Sequence, residues 1–238
     1  MPNPQTSLSV DVLGLSMANP VVVGSGLLTD QDGNIRRLLA AGAGAVVTKT
    51  IHPDPPRQLD ERIVRLPIGM LNSTTYSKRP VTRWLQTLRS LAADDLPVIA
   101  SMHADRPDAL GRLAEQVAAT GCRALELGIS CLNEDGAPDD TPDRVYAYTA
   151  AVRRCTDLPI SVKLAADEGV EARARAAESG GATAITLSDS IAGTDVSVTG
   201  ELRLGGVFGY SGPRIRPLVL AAVYTLRRRG FDLPILTG

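Results

Sequence analysis

The sequence predicts an α/β fold, a (β/α)8 TIM barrel of which this chain supplies strands up to about the seventh. Three observations carry that prediction. Short apolar runs alternate with amphipathic stretches along the chain. None of the runs alternates strictly between apolar and polar, so each reads as a strand buried on both faces, as in a parallel sheet. Polar and glycine residues gather at the C-terminal ends of many different runs: Gly24-Ser25-Gly26, Lys49-Thr50, Ser130-Cys131, Lys163 and Asp189-Ser190. In a barrel those ends converge on one mouth, whereas in an open sheet the site would draw mainly on strands beside the switch point.

The elements follow in order. Residues 20–26 (PVVVGSG) form the first strand and run into the Gly24-Ser25-Gly26 turn. Residues 32–42 form a helix that ends on Gly42, a residue suited to the left-handed C′ position. The second strand, 45–50 (AVVTKT), ends on Lys49 and Thr50. A helix at 80–93 leads to the strand 97–102 (PVIASM), and a helix at 107–120 leads to the strand 124–130 (ALELGIS). The helix at 141–155 opens with Thr141 at the N-cap and Pro142 at N1, a strong start signal. The strand 159–164 (PISVKL) carries Lys163, and a helix at 168–179 precedes the strand 184–189 (AITLSD). A helix at 213–229 ends in three arginines, which suit the negative end of a helix dipole. The strand 234–238 (PILTG) is the seventh. Alternation of this kind implies right-handed βαβ units. No low-complexity linker interrupts it, so residues 1–238 read as one domain. A closed barrel needs eight strands and open edges are a liability. The expectation is therefore a C-terminally incomplete barrel, short by roughly 50–80 residues, the length of one or two βα units.

Composition narrows the function classes. Hydrophobic residues are 44% and charged residues 21%, as in a globular enzyme, while aromatics are only 3%, so the core must be aliphatic. The net charge of -1 offers no basic field for nucleic acid, and the few aromatics offer no base-stacking surface. The opening MPNPQTSLSVDV lacks a signal-peptide pattern, and no stretch has the ~20 apolar residues that span a membrane. Cys122, Cys131 and Cys155 are odd in number and unevenly spaced, which argues against a disulfide framework and for a reducing cytoplasm. With two histidines, His52 and His103, and no CxxC pair, no metal site is expected.

Most of the conspicuous residues have ordinary explanations. A lone cysteine is more often a small buried hydrophobe than a catalyst, and Cys122 and Cys155 read as packing residues. Cys131, in a loop beside Asn133, has the better claim to chemistry. A lysine ending a strand is usually a surface residue, but Lys49 and Lys163 both end otherwise apolar strands. The Gly24-Ser25-Gly26 segment reads equally as a tight turn, and Gly205-Gly206 as a hinge. His52 and His103 show no partners in the sequence.

One ordered set of motifs adds a resemblance. Residues 126–133 read ELGISCLN, which resembles the ELNISCPN signature of class 1 dihydroorotate dehydrogenases and of the related domain of dihydropyrimidine dehydrogenase. Asn19-Pro20 with Gly24-Ser25-Gly26 is similar to that family's NP…ASG opening, and Thr48-Lys49-Thr50 to its TKS segment. Gly69-Met70-Leu71-Asn72 resembles GMLN, Val162-Lys163-Leu164 resembles VKL, and Gly205-Gly206 with Tyr210-Ser211-Gly212-Pro213 resembles GG…SGP. Thr237-Gly238 resembles the first half of the family's phosphate glycines. The resemblance covers nearly the whole chain.

It implies an FMN-dependent oxidation of dihydroorotate to orotate, a step of pyrimidine biosynthesis, with Cys131 as the base. Carried over by position, Ser25, Gly26, Lys49, Thr50, Lys163, Ser190, Ser211, Gly212, Thr237 and Gly238 would hold FMN. Lys49, Asn72, Asn133, Asp189 and Ser190 would hold the substrate. It also implies a homodimer or larger assembly. The electron acceptor stays open between fumarate, a partner subunit carrying FAD and an iron–sulfur cluster, and oxygen. Class 2 enzymes, which are membrane-bound, use serine where Cys131 stands.

The chemistry explains these assignments. Removing two hydrogens across a C–C bond needs a base on one carbon and a hydride acceptor facing the other, which FMN supplies. A thiol with its ordinary pKa near 8.5 is a poor base at neutral pH unless a cation lowers it, and Lys49 is the candidate by analogy. Lys163 suits the side of the flavin where negative charge develops on reduction. The chain also departs from the pattern. Gly128 and Asp189 replace asparagines, Leu132 replaces a proline, and Thr75-Tyr76-Ser77-Lys78 replaces GLxN. Ionised aspartate only accepts hydrogen bonds where asparagine also donates, so the expected substrate is dihydroorotate or a related small cyclic amide. The alternative is a non-catalytic relative that uses the barrel for binding or scaffolding. A cysteine hydrolase lacks a histidine near Cys131 in sequence.

Overall fold

The computed structural model describes residues 8–54, 61–134 and 139–238. The chain opens with a hairpin of β1 (Val10–Val12) and β2 (Leu15–Met17). A parallel sheet and its helices follow: β3 (Val22–Val23), α1 (Asp32–Ala40) and β4 (Ala45–Val47). The short strands β5 (Ile63–Leu66) and β6 (Gly69–Asn72) intervene. Then come α2 (Val81–Ala93), β7 (Val98–Met102), α3 (Pro107–Ala118), β8 (Leu125–Gly128), α4 (Pro142–Arg153) and β9 (Ile160–Leu164). The chain ends with α5 (Val170–Ser179), β10 (Ala184–Leu187), β11 (Ile191–Gly193), β12 (Phe208–Ser211), α6 (Arg216–Arg228) and β13 (Ile235–Thr237).

All seven predicted strands fall in one sheet, in the order β13-β10-β9-β8-β7-β4-β3, and every neighbouring pair is parallel. All six predicted helices are present. Thr141 caps α4 as the sequence indicates, its hydroxyl accepting the Arg144 N–H. Among the described residues no strand lies between β13 and β3, so these two are the edges of the sheet. No helix among the described residues is long and apolar enough to cross a membrane.

The strand pleat sorts residues into two populations. Val46, Val98, Leu125, Leu127, Ile160, Val162 and Ile185 point outward into the large core shared with the helices. Their sequence neighbours Ala45, Val47, Ile99, Ala124 and Ala184 point inward and pack on Leu13, Leu15 and Met17 of the hairpin. The hairpin thus plugs the base of the barrel. Its two-residue loop, Leu13-Gly14, has φ of 53° and 67°, the geometry that matches the twist of a tight hairpin. The next inward positions up the strands are Ser101, Glu126, Ser161, Lys163 and Thr186. Ser101, Glu126 and Ser161 are at most 2% exposed. The interior therefore grades from apolar at the base to polar at the top.

A second sheet was absent from the sequence prediction. Strands β11, β12, β6 and β5 form an antiparallel sheet at the mouth. These strands are three or four residues long, too short for an alternation to show. Gly69 and Gly212 let β6 and β12 meet: a Cβ on Gly212 would lie 2.6 Å from the Gly69 Cα, and both φ values are positive, at 119° and 133°.

Candidate active site

The strand ends enclose a cavity of about 660 Å³, within the ~300–1,000 Å³ typical of small-molecule sites. It is lined by residues from seven strands of the large sheet and by the small sheet over its mouth. Ser25, Gly26, Lys49, Thr50, Asn72, Cys131, Asn133, Lys163, Asp189, Ser190, Ser211, Thr237 and Gly238 all face it. Gly212 does not. Its place is the close contact with Gly69, a packing need that the motif alone conceals.

At the β3–β4 side, the Ser25, Thr50 and Ser101 hydroxyls form a chain, with Ser25 Oγ 3.2 Å from Thr50 Oγ1 and Thr50 Oγ1 3.1 Å from Ser101 Oγ. Lys49, beside them, is 7% exposed. Burial pulls its pKa below the ordinary lysine value, partly offset by Glu61 and Cys131.

Across the cavity, Lys163 Nζ pairs with Asp189 Oδ1 at 3.1 Å. Burial works against the Lys163 charge, but Asp189 and Glu126 together hold its pKa above the ordinary lysine range. Asp189 Oδ1 also accepts the Ser190 N–H at 2.7 Å. Two sequence assignments, cofactor lysine and substrate aspartate, are therefore one ion pair.

Glu126 is a site residue that sequence reasoning missed. Its Oε2 accepts the Thr186 hydroxyl at 3.0 Å, while Oε1 is buried with no hydrogen-bond partner. Burial raises its pKa. Strand alternation was the available signal: Glu126 shares the inward face with Gly128, between the outward Leu125 and Leu127. A Cβ on Gly128 would meet nothing within 4 Å, so the space above Glu126 is open.

Cys131 is half-buried at the mouth. Burial raises its thiol pKa, Asp189 and Glu134 add to the rise, and Lys49 and the Asn133 backbone N–H oppose it. The expected lowering by Lys49 is thus outweighed by loss of water and two nearby acids. The asparagines also differ from expectation. Asn133 donates to Asn72 Oδ1 (3.0 Å) and to the Thr74 carbonyl (2.8 Å), and its own Oδ1 accepts the Gly209 N–H (2.8 Å). Both amide hydrogens are committed, so Asn133 offers a ligand only acceptor capacity. Asn72 keeps one amide hydrogen, since the other goes to the Gly209 carbonyl at 3.3 Å.

The histidines, partnerless in the sequence, meet under this loop. His52, His103 and Asp105 bring one donor atom each within 4.8 Å of one another. The Asp54 N–H donates to His52 Nδ1 at 3.0 Å, which leaves the proton on Nε2, 3.1 Å from Asp105 Oδ1. His52 thus aims an N–H at the Asp105 carboxylate.

Comparison with known proteins agrees with this architecture. The dihydroorotate dehydrogenase family model matches residues 7–237. The chain is 31% identical to the dihydroorotate dehydrogenase B (NAD(+)) catalytic subunit of Pyrococcus furiosus, over 97% of this chain and 78% of that protein. It is 31% identical to the corresponding subunit of Thermococcus kodakarensis, over 96% and 77%, and 32% identical to that of Methanosarcina mazei, over 96% and 76%. The fold is similar to that of a ligand-free DHODH from Eimeria tenella, with a TM-score of 0.78 at 16% identity, over 100% of this chain and 78% of that one. A strand-end cavity with a cysteine loop above it, on a parallel barrel sheet matched over nearly its whole length, places this chain in the dihydroorotate dehydrogenase family of oxidoreductases acting on CH–CH bonds.

Proposed function

We propose that this chain is an FMN-dependent oxidoreductase that removes two hydrogens from adjacent ring carbons of dihydroorotate or a related small cyclic amide. The observation that carries the reading is the shared cavity: Cys131 and the half-buried Lys163 open on one space large enough for a ring cofactor and a small substrate. The residues present fit such a cofactor. Glu126 Oε1 is a buried oxygen waiting for a partner. Gly24, Gly26, Gly128 and Gly238 leave open space where side chains would intrude. Ser25, Gly26, Thr50, Lys163, Ser190, Ser211, Thr237 and Gly238 would hold FMN, which supplies a hydride acceptor when bound.

The chain's own residues do the rest. Cys131, as thiolate, takes the proton from one ring carbon onto Sγ. Lys49 favours that thiolate and offers a cation to a substrate oxygen. Asn72 has one amide hydrogen for the substrate. Lys163 brings a fixed positive charge to the cavity floor, where it needs no reorganisation. The relatives are catalytic subunits of an NAD(+) enzyme by name, so we assign the onward electron transfer to a separate partner subunit.

The purified chain should be yellow, with the absorbance of oxidised flavin and FMN released on denaturation. Cys131→Ala should keep that flavin but slow its reduction by dihydroorotate at least ~100-fold in a single turnover, the usual scale for a general base. A colourless protein that takes up no added FMN would refute the cofactor. Unchanged single-turnover reduction would refute Cys131 as the base.

A further inference from the structure

Cys131 sits on a turn closed by the Glu134 N–H, which donates to the Cys131 carbonyl at 3.0 Å. The Glu134 side chain is also held. Its Oε2 accepts the Tyr76 hydroxyl at 2.8 Å. Tyr76 is 4% exposed, and its ring is stacked on His52 (4.7 Å) and on His103 (4.9 Å). His103 continues the stack to Tyr148, against which the Arg144 guanidinium lies at 4.5 Å. The stack is tied at several points. His52 reaches Asp105, the Tyr148 hydroxyl donates to the Asp105 carbonyl at 2.5 Å, and His103 Nδ1 lies 2.8 Å from the Gly128 carbonyl. It takes both histidines and two of the five tyrosines of a chain that is 3% aromatic. Packing alone does not call for a buried phenol aimed at a carboxylate three residues beyond the cysteine.

We propose that Tyr76 and Glu134 form a latch on the Cys131 loop. Tyr76 is a positioning residue that acts through Glu134, whose side chain it grips while the Glu134 N–H closes the turn that carries Cys131. The inference rests on Cys131 being the base. Burial disfavours the Cys131 thiolate most, and Asp189 and then the Glu134 carboxylate add to that; the Asn133 N–H and Lys49 favour it, and Lys163 and the Tyr76 phenol also face it. The latch therefore trades thiolate population for basicity: fewer molecules are ionised at neutral pH, but each thiolate is the stronger base. The substitution of GLxN by Thr75-Tyr76-Ser77-Lys78 then has a purpose, because it brings the phenol to the loop.

The first readout is the thiol itself and needs no turnover; the second is steady-state kinetics. The pH at which Cys131 becomes half-reactive toward iodoacetamide is followed on its own peptide by mass spectrometry, so Cys122 and Cys155 do not contribute. Glu134→Gln keeps an acceptor for Tyr76 but removes the charge, and should lower that midpoint by roughly 0.5–1 unit, the scale of one nearby charge in a partly wet site. Tyr76→Phe keeps the stacked ring and loses the hydroxyl. It should lower kcat about 10- to 100-fold with KM nearly unchanged, as expected when a reacting group is displaced by a fraction of an ångström or more. Glu134→Ala should match Tyr76→Phe in kcat, and Glu134→Gln should recover most of that loss at low pH. A Glu134→Gln midpoint equal to that of the parent protein, or wild-type kcat in Tyr76→Phe, would overturn the latch. Normal flavin reduction in Cys131→Ala would instead sink the base assignment, and the alkylation midpoints would still judge the latch.

Discussion

Single residues decide the chemistry here through their charge environment. Cys131 is pushed above the ordinary thiol range, chiefly by burial, so flavin reduction should keep accelerating with pH beyond the point where a free thiol has ionised. Rapid-reaction reduction measured across pH tests this, and a plateau at or below the ordinary thiol pKa would contradict it. Lys49→Met removes an opposing cation and should move the profile higher still. Asp189→Asn should release Lys163 from its ion pair and restore a donor beside Ser190, raising activity toward dihydroorotate. No change would show that Asp189 makes no contact with the substrate. Lys49 and Lys163 were legible in the sequence because each ends an otherwise apolar strand, and Cys131 because of its loop position beside Asn133 and the ELGISCLN resemblance. Glu126 and Tyr76 were not. Glu126 sits mid-strand, where its meaning depends on which way the pleat faces, and Tyr76 acquires its role only from histidines at positions 52 and 103.

At the scale of elements, the sequence reads well where strands are long and apolar. β7 and β9, five residues each, stand out because both their faces are buried. The hairpin of β1 and β2 and the small sheet at the mouth escape notice, since three- and four-residue strands carry too little pattern. Gly69-Met70-Leu71-Asn72 is visible as a motif but not as the strand β6 that it forms. The hairpin nevertheless does a core residue's work. Leu15, 1% exposed, fills the barrel base with Leu13 and Met17. Leu15→Ala should cost about 2–5 kcal/mol of stability, the range for emptying a buried leucine site. Chemical denaturation measures this, and a loss well under 1 kcal/mol would show that the hairpin only rests on the barrel. The flavin absorbance of the folded fraction should be unchanged, because the plug lies at the opposite end from the cavity.

For the whole molecule, acid is the condition to test. His103 is kept neutral by burial, which lowers its pKa from 6.5 to about 4. A histidine depressed in the folded state binds protons more readily when unfolded, so stability is fully present above pH 6.5 and falls as pH drops toward 4. Between pH 7 and pH 5 the loss from this one ring should be about 2 kcal/mol. Denaturation midpoints at the two pH values measure it. His103→Asn, which keeps a donor for the Gly128 carbonyl, should be less stable at pH 7 but flatter with pH. An equally steep variant would assign the acid sensitivity elsewhere. The seven strands were readable from apolar spacing, and the convergence of strand ends selected the barrel, whose sequential strand order the sheet shows. What spacing could not convey was the division of labour across each strand. Outward letters such as Leu125, Leu127 and Val162 serve the helical core, and inward letters such as Glu126, Gly128 and Lys163 serve the cavity. Neighbouring positions along a strand therefore serve different structural ends. A lineage can exchange an inward asparagine for glycine or aspartate and explore new substrates while the helices keep their packing, so ligand preference in such a barrel can drift far ahead of its architecture.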